Sequence, residues 1–403
     1  MPVPDSPSPR SAAGQAEASD PTQTGFAKIG RRIVPIAFGL YIISYLDRVN
    51  IGFAAPTMSA DLGFGPEVFG LAAGLFFVTY ALLEIPSTMA SRRFGTRIWL
   101  ARIMITWGLL AGLTGFVQNE TQLYAVRLLL GAAEAGAFPI LLLWIGTWIP
   151  REARARALAL FIASLPVAAA VGAPLSGFLL SLDGLFGLEG WRLLFIVEAI
   201  PALIAGVWVL RRLPVGPAQV NWLTASEKAA VANTLAHQDK EVGEHRLAAS
   251  TLADALRSGR VWALGLSFLG IALGGYSLTL WQPMLLAESF SGLTPWQLGW
   301  VNAVPFIFGV ITMYAVGRLC DRRGDSRWIV LVLVFVAAAG IMLAGAMGGL
   351  GYAALIAASM AFWSVAAAVW ITPSRFLQGR AAAGGLPLIN SIGAIGGFIG
   401  PFT

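Results

Sequence analysis

The chain has little of what a water-soluble protein of its length carries. Only 12% of its 403 residues are charged, about half the roughly 25% typical of soluble domains. Most of its surface therefore does not face water. It has one cysteine, Cys320, which excludes an intramolecular disulfide. Its two histidines, His237 and His245, fall in one polar stretch. They form no metal-ligand cluster, so proton chemistry inside a membrane is left to carboxylates. No Walker-type phosphate loop occurs, and ATP is not the implied energy source. No nucleophile–base pair stands in the apolar stretches. The expectation is a protein that is not an enzyme and uses no cofactor and no metal. The N-terminus lacks a basic region followed by a short apolar run and a cleavage site, so it does not read as a signal peptide. Residues 1–27, rich in Ser, Pro, Ala and Gln, read instead as a disordered tail.

What is present is apolar. Hydrophobic residues make up 57% of the chain, with a mean hydropathy of +0.73. A bilayer core of about 30 Å needs roughly 20 apolar residues per helix. That window predicts an all-α integral membrane protein with about eleven spans. Their cores lie near 33–57, 68–90, 98–117, 121–148, 156–181, 192–212, 260–285, 296–317, 327–347, 350–372 and 382–403. One long polar stretch, 213–259, divides a six-span half (28–212) from a second half (260–403). Within it Thr224-Ala-Ser-Glu227 fits a capping box, which predicts a short surface helix to about His237 and a tether between two bundles.

The net charge of +6 and pI near 9.8 have an explanation other than nucleic acid. Basic residues gather in alternate loops: Arg92, Arg93 and Arg97; Arg151, Arg154 and Arg156; those from Arg211 through Arg260; Arg318, Arg322, Arg323 and Arg327; Arg375 and Arg380. The other loops carry Asp61, Glu67, Glu120, Asp183, Glu189 and Glu288. The positive-inside rule then puts the N-terminus in the cytosol. The halves also echo each other. Ser91-Arg-Arg-Phe-Gly95-Thr-Arg97 follows the second span, and Gly317-Arg-Leu-Cys-Asp321-Arg-Arg-Gly324 follows the eighth. Internal repetition around a long central loop marks secondary transporters.

An ionisable side chain at mid-membrane costs roughly 2.5–3.5 kcal/mol on insertion scales, so such residues face cavities or pair. The candidates are Asp47, Arg48, Glu84, Arg127, Glu134 and Glu198. Arg127 and Glu134 share a face of span four but stand about 10.5 Å apart along the helix. Each needs a partner elsewhere, and span one offers Arg48 and Asp47. The four charges suggest a cycle: protonating Asp47 and Glu134 frees the arginines, and Arg48, with Arg127, then takes a substrate carboxylate through paired hydrogen bonds. The competing reading is a structural ion network, with Gly131 and Gly136 serving close helix packing. Glu84, beside Pro86, is expected to pair with an arginine such as Arg92, and Glu198 to be structural. Tyr41, Ser44, Tyr45 and Arg48 fall on one helical stripe, a candidate cavity wall. Tyr80 offers a further hydroxyl, and Asn390 an amide that needs partners. Thr372, Tyr276 and Trp281 are weaker candidates. Trp300, Trp363 and Trp370 read as interface and packing residues.

Gly317, Leu319, Asp321, Arg322 and Gly324 match Gly-x-Leu-x-Asp-Arg-x-Gly, which resembles the loop signature of the major facilitator superfamily. The first copy is degenerate, with Thr88 for the leading Gly and Arg92 for the Asp. Ser44-Tyr-Leu-Asp47-Arg48-Val-Asn50, Arg127 through Pro139 and Ile389-Asn390-Ser391 through Pro401 together resemble the anion:cation symporter branch of tartrate, sugar-acid and phthalate carriers. That resemblance implies a two-bundle fold of six plus six helices. It implies proton-coupled uptake of a small organic anion, with Asp47 and Glu134 coupling protons. Tyr45, Arg48, Tyr80, Arg127 and Asn390 would meet substrate, and Gly317, Asp321, Arg322 and Gly324 would gate. The expected setting is the inner (plasma) membrane and the expected unit a monomer, with lipid, substrate and protons as the partners. About eleven of twelve spans are present, which reads as a truncated chain. Alternatives are an exporter on the same fold and a non-transporting membrane sensor.

Overall fold

The computed structural model of the chain describes residues 20–244, 256–323, 327–345, 349–371 and 379–400. Among these residues every regular element is helical. The first half holds α1 (Pro21–Leu62), α2 (Pro66–Phe94), α3 (Thr96–Thr114), α4 (Glu120–Glu134), α5 (Ala137–Gly146), α6 (Arg151–Ile162), α7 (Ser164–Leu180) and α8 (Gly190–Arg212). A surface helix, α9 (Ala225–Glu244), follows. The second half holds α10 (Gly259–Ser289), α11 (Pro295–Arg323), α12 (Arg327–Ala344), α13 (Gly349–Ile371) and α14 (Gly379–Ile399).

Eight apolar helical stretches are long enough to cross a membrane, and Trp328–Ala344 and Leu388–Ile399 are shorter apolar helices. Large apolar side chains point outward along them, including Leu109 and Leu113 on α3 and Trp328, Phe335 and Met342 on α12. Such an exterior suits lipid, and the chain is a multi-pass membrane protein.

The described core of each of the eleven expected spans falls on helix, but two of them break. Span four divides into α4 and α5 at Ala135–Gly136, where Gly136 takes φ +88, a left-handed conformation that favours glycine. Irregular backbone at membrane depth survives only where its polar groups find partners. Here the Ala135 N–H donates to the Gly131 carbonyl at 3.1 Å. The Arg102 guanidinium donates to the Ala133 carbonyl at 3.1 Å. The break sits directly after Glu134. Span five divides at Ala163 into α6 and α7, and the Ser164 hydroxyl bonds back to the Phe161 carbonyl.

The halves meet along three main seams: α7 on α11, α2 on α14 and α1 on α10. Glycines permit the closest approach. A Cβ at Gly177 would lie 2.4 Å from the Pro295 carbonyl oxygen, and one at Gly299 2.6 Å from that of Ala173. Within the first half, Gly131 lets α4 reach α2, where a Cβ would lie 2.0 Å from the Phe76 carbonyl oxygen.

The helix α1 starts inside the stretch expected to be a tail. Pro21 occupies its first turn and the Asp20 side chain accepts from the Thr22 N–H at 2.9 Å. Its 42 residues span about 63 Å at 1.5 Å per residue, twice the bilayer core. The excess meets α9. The capping box forms as expected, with the Thr224 N–H donating to Glu227 Oε2 at 2.9 Å and the Glu227 N–H to Thr224 Oγ1 at 3.2 Å. Glu227 also takes Lys28 of α1 at 2.7 Å, and Arg32 lies over the Trp222 ring at 4.8 Å. The central stretch is thus docked on α1 rather than a bare tether. The Lys28 ammonium, aided by the Thr224 N–H, holds the Glu227 carboxyl down to about 2. The helix runs past the expected end at His237, which is exposed. His245 lies outside the described residues.

Candidate functional site

A cavity lies between the halves, the kind of position between packed helices where small-molecule sites form. Its polar wall is Tyr41, Tyr45 and Arg48 of α1, Tyr80 of α2, Tyr276 of α10 and Asn390 of α14. Rings from both halves complete it, among them Phe77, Phe138, Phe268, Phe362 and Trp363. One cation in an aromatic, tyrosine-rich chamber suits an anionic ligand with a compact body.

Helical spacing on α1 brings Tyr41, Tyr45 and Arg48 to the same wall. Arg48 is buried and reaches α4. Its Nη2 lies 2.6 Å from Glu134 Oε1, and its Nε donates to the same oxygen at 2.7 Å. Ser44 Oγ adds a third donor at 2.8 Å. Arg48 Nη1 donates to the Tyr276 hydroxyl at 3.2 Å, which ties the pair to the second half. The guanidinium also lies 4.8 Å over the Tyr80 ring, a cation–π contact. Arg48 therefore stands in the cavity with its charge answered from one side by Glu134.

The other two expected charges do not join this pair. Arg127 donates from Nε to the Ala72 carbonyl at 3.2 Å and lies 5.1 Å over Phe76. It makes no ion pair among the described residues and does not line the cavity. Where substrate contact was expected of Arg127, its guanidinium packs over the Phe76 ring, outside the cavity lining. Asp47, buried at 3% exposure, accepts from Asn50 Nδ2 at 3.4 Å and makes no ion pair among the described residues. It does not line the cavity. Glu198 accepts from Ser176 Oγ at 2.9 Å, a helix-to-helix link in the first half.

Glu84 differs from expectation. It is fully buried and bonds across the seam rather than to Arg92, which is exposed. Asn390 Nδ2 donates to Glu84 Oε1, and Ser391 Oγ donates to Oε2 at 3.0 Å. One signal for this was available. No cation lies within one helical turn of Glu84, so its partners had to come from another helix. Trp363, expected at an interface, lines the cavity, while Trp281 does not and meets Phe69 edge-on. On the loop motif, Gly317 has open space around it and Arg322 is exposed. Gly324 and Thr372 lie outside the described residues, as do the side chains of Asp321 and Trp370.

Comparison with known proteins agrees with this architecture. The sequence profile of the Major Facilitator Superfamily matches residues 37–401. A protein of Agrobacterium vitis named for tartrate transport is 44% identical over 377 residues, covering 93% of this chain and 83% of its own. A quinolone resistance transporter of Acinetobacter baumannii is 36% identical over 373 residues, covering 92% of this chain and 85% of its own. The crystal structure of a bacterial homologue of the human lysosomal transporter Spinster superposes with a TM-score of 0.69 at 20% identity, over 93% of this chain and 81% of that one.

Proposed function

The chain belongs to the major facilitator superfamily, and on that premise we propose that it takes up a small organic anion together with protons by alternating access. The observation that carries the reading is Arg48, a buried guanidinium in the wall of the inter-half cavity, paired with Glu134 at 2.6 Å. A substrate carboxylate competes with Glu134 for the same donors. Protonating Glu134 removes that competitor, and Arg48 then offers its forked N–H groups to the substrate. When the proton leaves, Glu134 reclaims Arg48 and the anion is released. Asp47 is the second acid in this reading and holds a proton beside the pair. Tyr45, Tyr80 and Asn390 orient the bound anion. Gly317, Asp321, Arg322 and Gly324 gate one end. The N-terminus and α9 lie on the cytosolic side of an inner membrane, and the functional unit is a monomer.

The ligand class is a carboxylate such as a hydroxydicarboxylate, a sugar acid or an aromatic acid. The relative named for tartrate transport supports this class. The test is a thermal-shift screen of carboxylates against the purified chain across pH. A ligand at 100 times its Kd stabilises the folded state by about 2.7 kcal/mol. Tartrate-like acids should raise the melting temperature, more so at acidic pH. Stabilisation by organic cations and by no acid would overturn the reading.

The relative named for quinolone resistance supports a second reading, an exporter with the same site. Flux direction in vesicles of known polarity separates the two.

A further inference from the structure

Asn390 is the polar group that α14 brings to the cavity wall. Its amide can donate two hydrogens through Nδ2 and accept through Oδ1. Both donors are already engaged. Nδ2 donates to Glu84 Oε1 and lies 3.4 Å from the Tyr80 hydroxyl. No described residue donates to Oδ1.

The cause of this orientation is Glu84. Its Oε1 accepts from Nδ2 and its Oε2 from Ser391 Oγ, and an accepting oxygen at this place repels Oδ1, so it settles an amide that would otherwise be free to flip. Ser391 Oγ, at 3.0 Å from Oε2, occupies the other carboxylate oxygen and holds Glu84 facing α14. The two residues are 306 positions apart in sequence, and neither takes part in the Arg48–Glu134 exchange.

We propose that Glu84 is a specificity-determining positioning residue: by holding the Asn390 amide nitrogen, it turns the carbonyl oxygen toward the cavity and selects substrates that carry a hydroxyl as well as a carboxylate. This rests on the reading of Arg48 as the carboxylate site. Tyr80 connects the two ends, with Arg48 4.8 Å from its ring and Asn390 at its hydroxyl. The carboxylate and the hydroxyl are thus recognised roughly one tyrosine side chain apart. The substrate class narrows to short hydroxy acids. A site built around a hydrogen-bonding group discriminates against an analogue that lacks its partner far more than a greasy pocket does.

The test uses the full chain in lipid nanodiscs and three acids on one carbon skeleton: tartrate, malate and succinate, with two, one and no hydroxyls. The wild type should bind tartrate or malate at least about tenfold more tightly than succinate, the worth of one hydrogen bond in a buried site. In Glu84→Gln the neutral amide accepts either end of Asn390. The hydroxy-acid preference should fall to within about twofold of unity while succinate affinity stays near its wild-type value. Asn390→Ala should lose the same preference. The double variant should lose no more than either single one, because both act on one interaction. A merely structural Glu84 would weaken all three acids together. Retention of the preference in Glu84→Gln, or an equal loss for all three acids, overturns the proposal. If the wild type binds none of the three, the carboxylate site at Arg48 fails and this inference falls with it. Binding of all three with no preference overturns the inference alone.

Discussion

Arg48 and Glu134 meet at 2.6 Å across α1 and α4, while Arg127, seven residues before Glu134, makes no ion pair among the described residues. One arginine is thus bound to the acid at a helix break and to the cavity at once. The other is tucked against a backbone carbonyl and a phenylalanine ring. The consequences for the two differ.

Arg48→Lys should bind carboxylates at least about tenfold more weakly, since a charge-assisted hydrogen bond is worth ~1.5–3 kcal/mol and an ammonium lacks the fork that grips two oxygens. Arg127→Lys should leave carboxylate affinity within about twofold and act on stability instead, because its contacts are a backbone carbonyl and a ring outside the cavity lining. Calorimetric titration with tartrate on both variants checks this. Equal losses of affinity would place Arg127 at the substrate after all.

Gly131→Val should lower the melting temperature in detergent more than Gly63→Ala does. A Cβ at Gly131 would lie 2.0 Å from the Phe76 carbonyl oxygen, whereas one at Gly63 meets nothing within 4 Å. Overpacking a close contact costs about 1–3 kcal/mol. Strain at φ +70 is the whole cost at Gly63.

The contact between α9 and α1 should depend on pH in one direction only. Glu227 is held down to about 2 by Lys28 and the Thr224 N–H, below its ordinary value near 4.3. A carboxyl lowered by folding contributes stability that is complete above its unfolded value and is lost as pH falls through the folded one. Docking of α9 should therefore be steady from pH 6 to 8, as hydrogen exchange of the helix reports, and loosen as pH falls from about 4 toward 2. Glu227→Gln keeps a capping-box residue but loses the ion pair, and should flatten that acid limb. A limb unchanged in Glu227→Gln would show that another group causes it.

Asp47→Asn should preserve the fold and substrate counterflow and reduce uptake driven by a proton gradient. Asp47 is buried, accepts from Asn50 at 3.4 Å and makes no direct ion pair among the described residues, so an asparagine breaks no salt bridge. Loss of counterflow together with driven uptake would make Asp47 structural.

The sequence allowed the membrane spans to be read because hydropathy is a local property, and the described core of each expected stretch lies on helix. The capping box at Thr224 and Glu227 was equally local, and it forms. The stripe of Tyr41, Ser44, Tyr45 and Arg48 was legible from helical spacing; all but Ser44, which donates to Glu134, line the cavity. Partner choice was not legible, because it is decided between helices. Four buried charges allowed several pairings, and only packing sets Glu134 on Arg48 and turns Arg127 to Ala72. The helix break was hidden for a related reason. Gly136 suggested close packing, but a positive φ leaves no trace in an apolar run. Glu84 showed that it lacked a cation within one helical turn, yet nothing in the sequence pointed to α14. Aromatic residues of the cavity wall, such as Trp363, resemble packing residues until both halves are in place.

The central claim is that the proton on Glu134 governs whether Arg48 is free for the anion. Glu134→Gln in proteoliposomes tests it most directly, with labelled tartrate as substrate. An amide at this position imitates the protonated acid and still accepts from Arg48. The account predicts that tartrate counterflow continues while uptake driven by a proton gradient is abolished. Undiminished gradient-driven uptake, with or without counterflow, would contradict it.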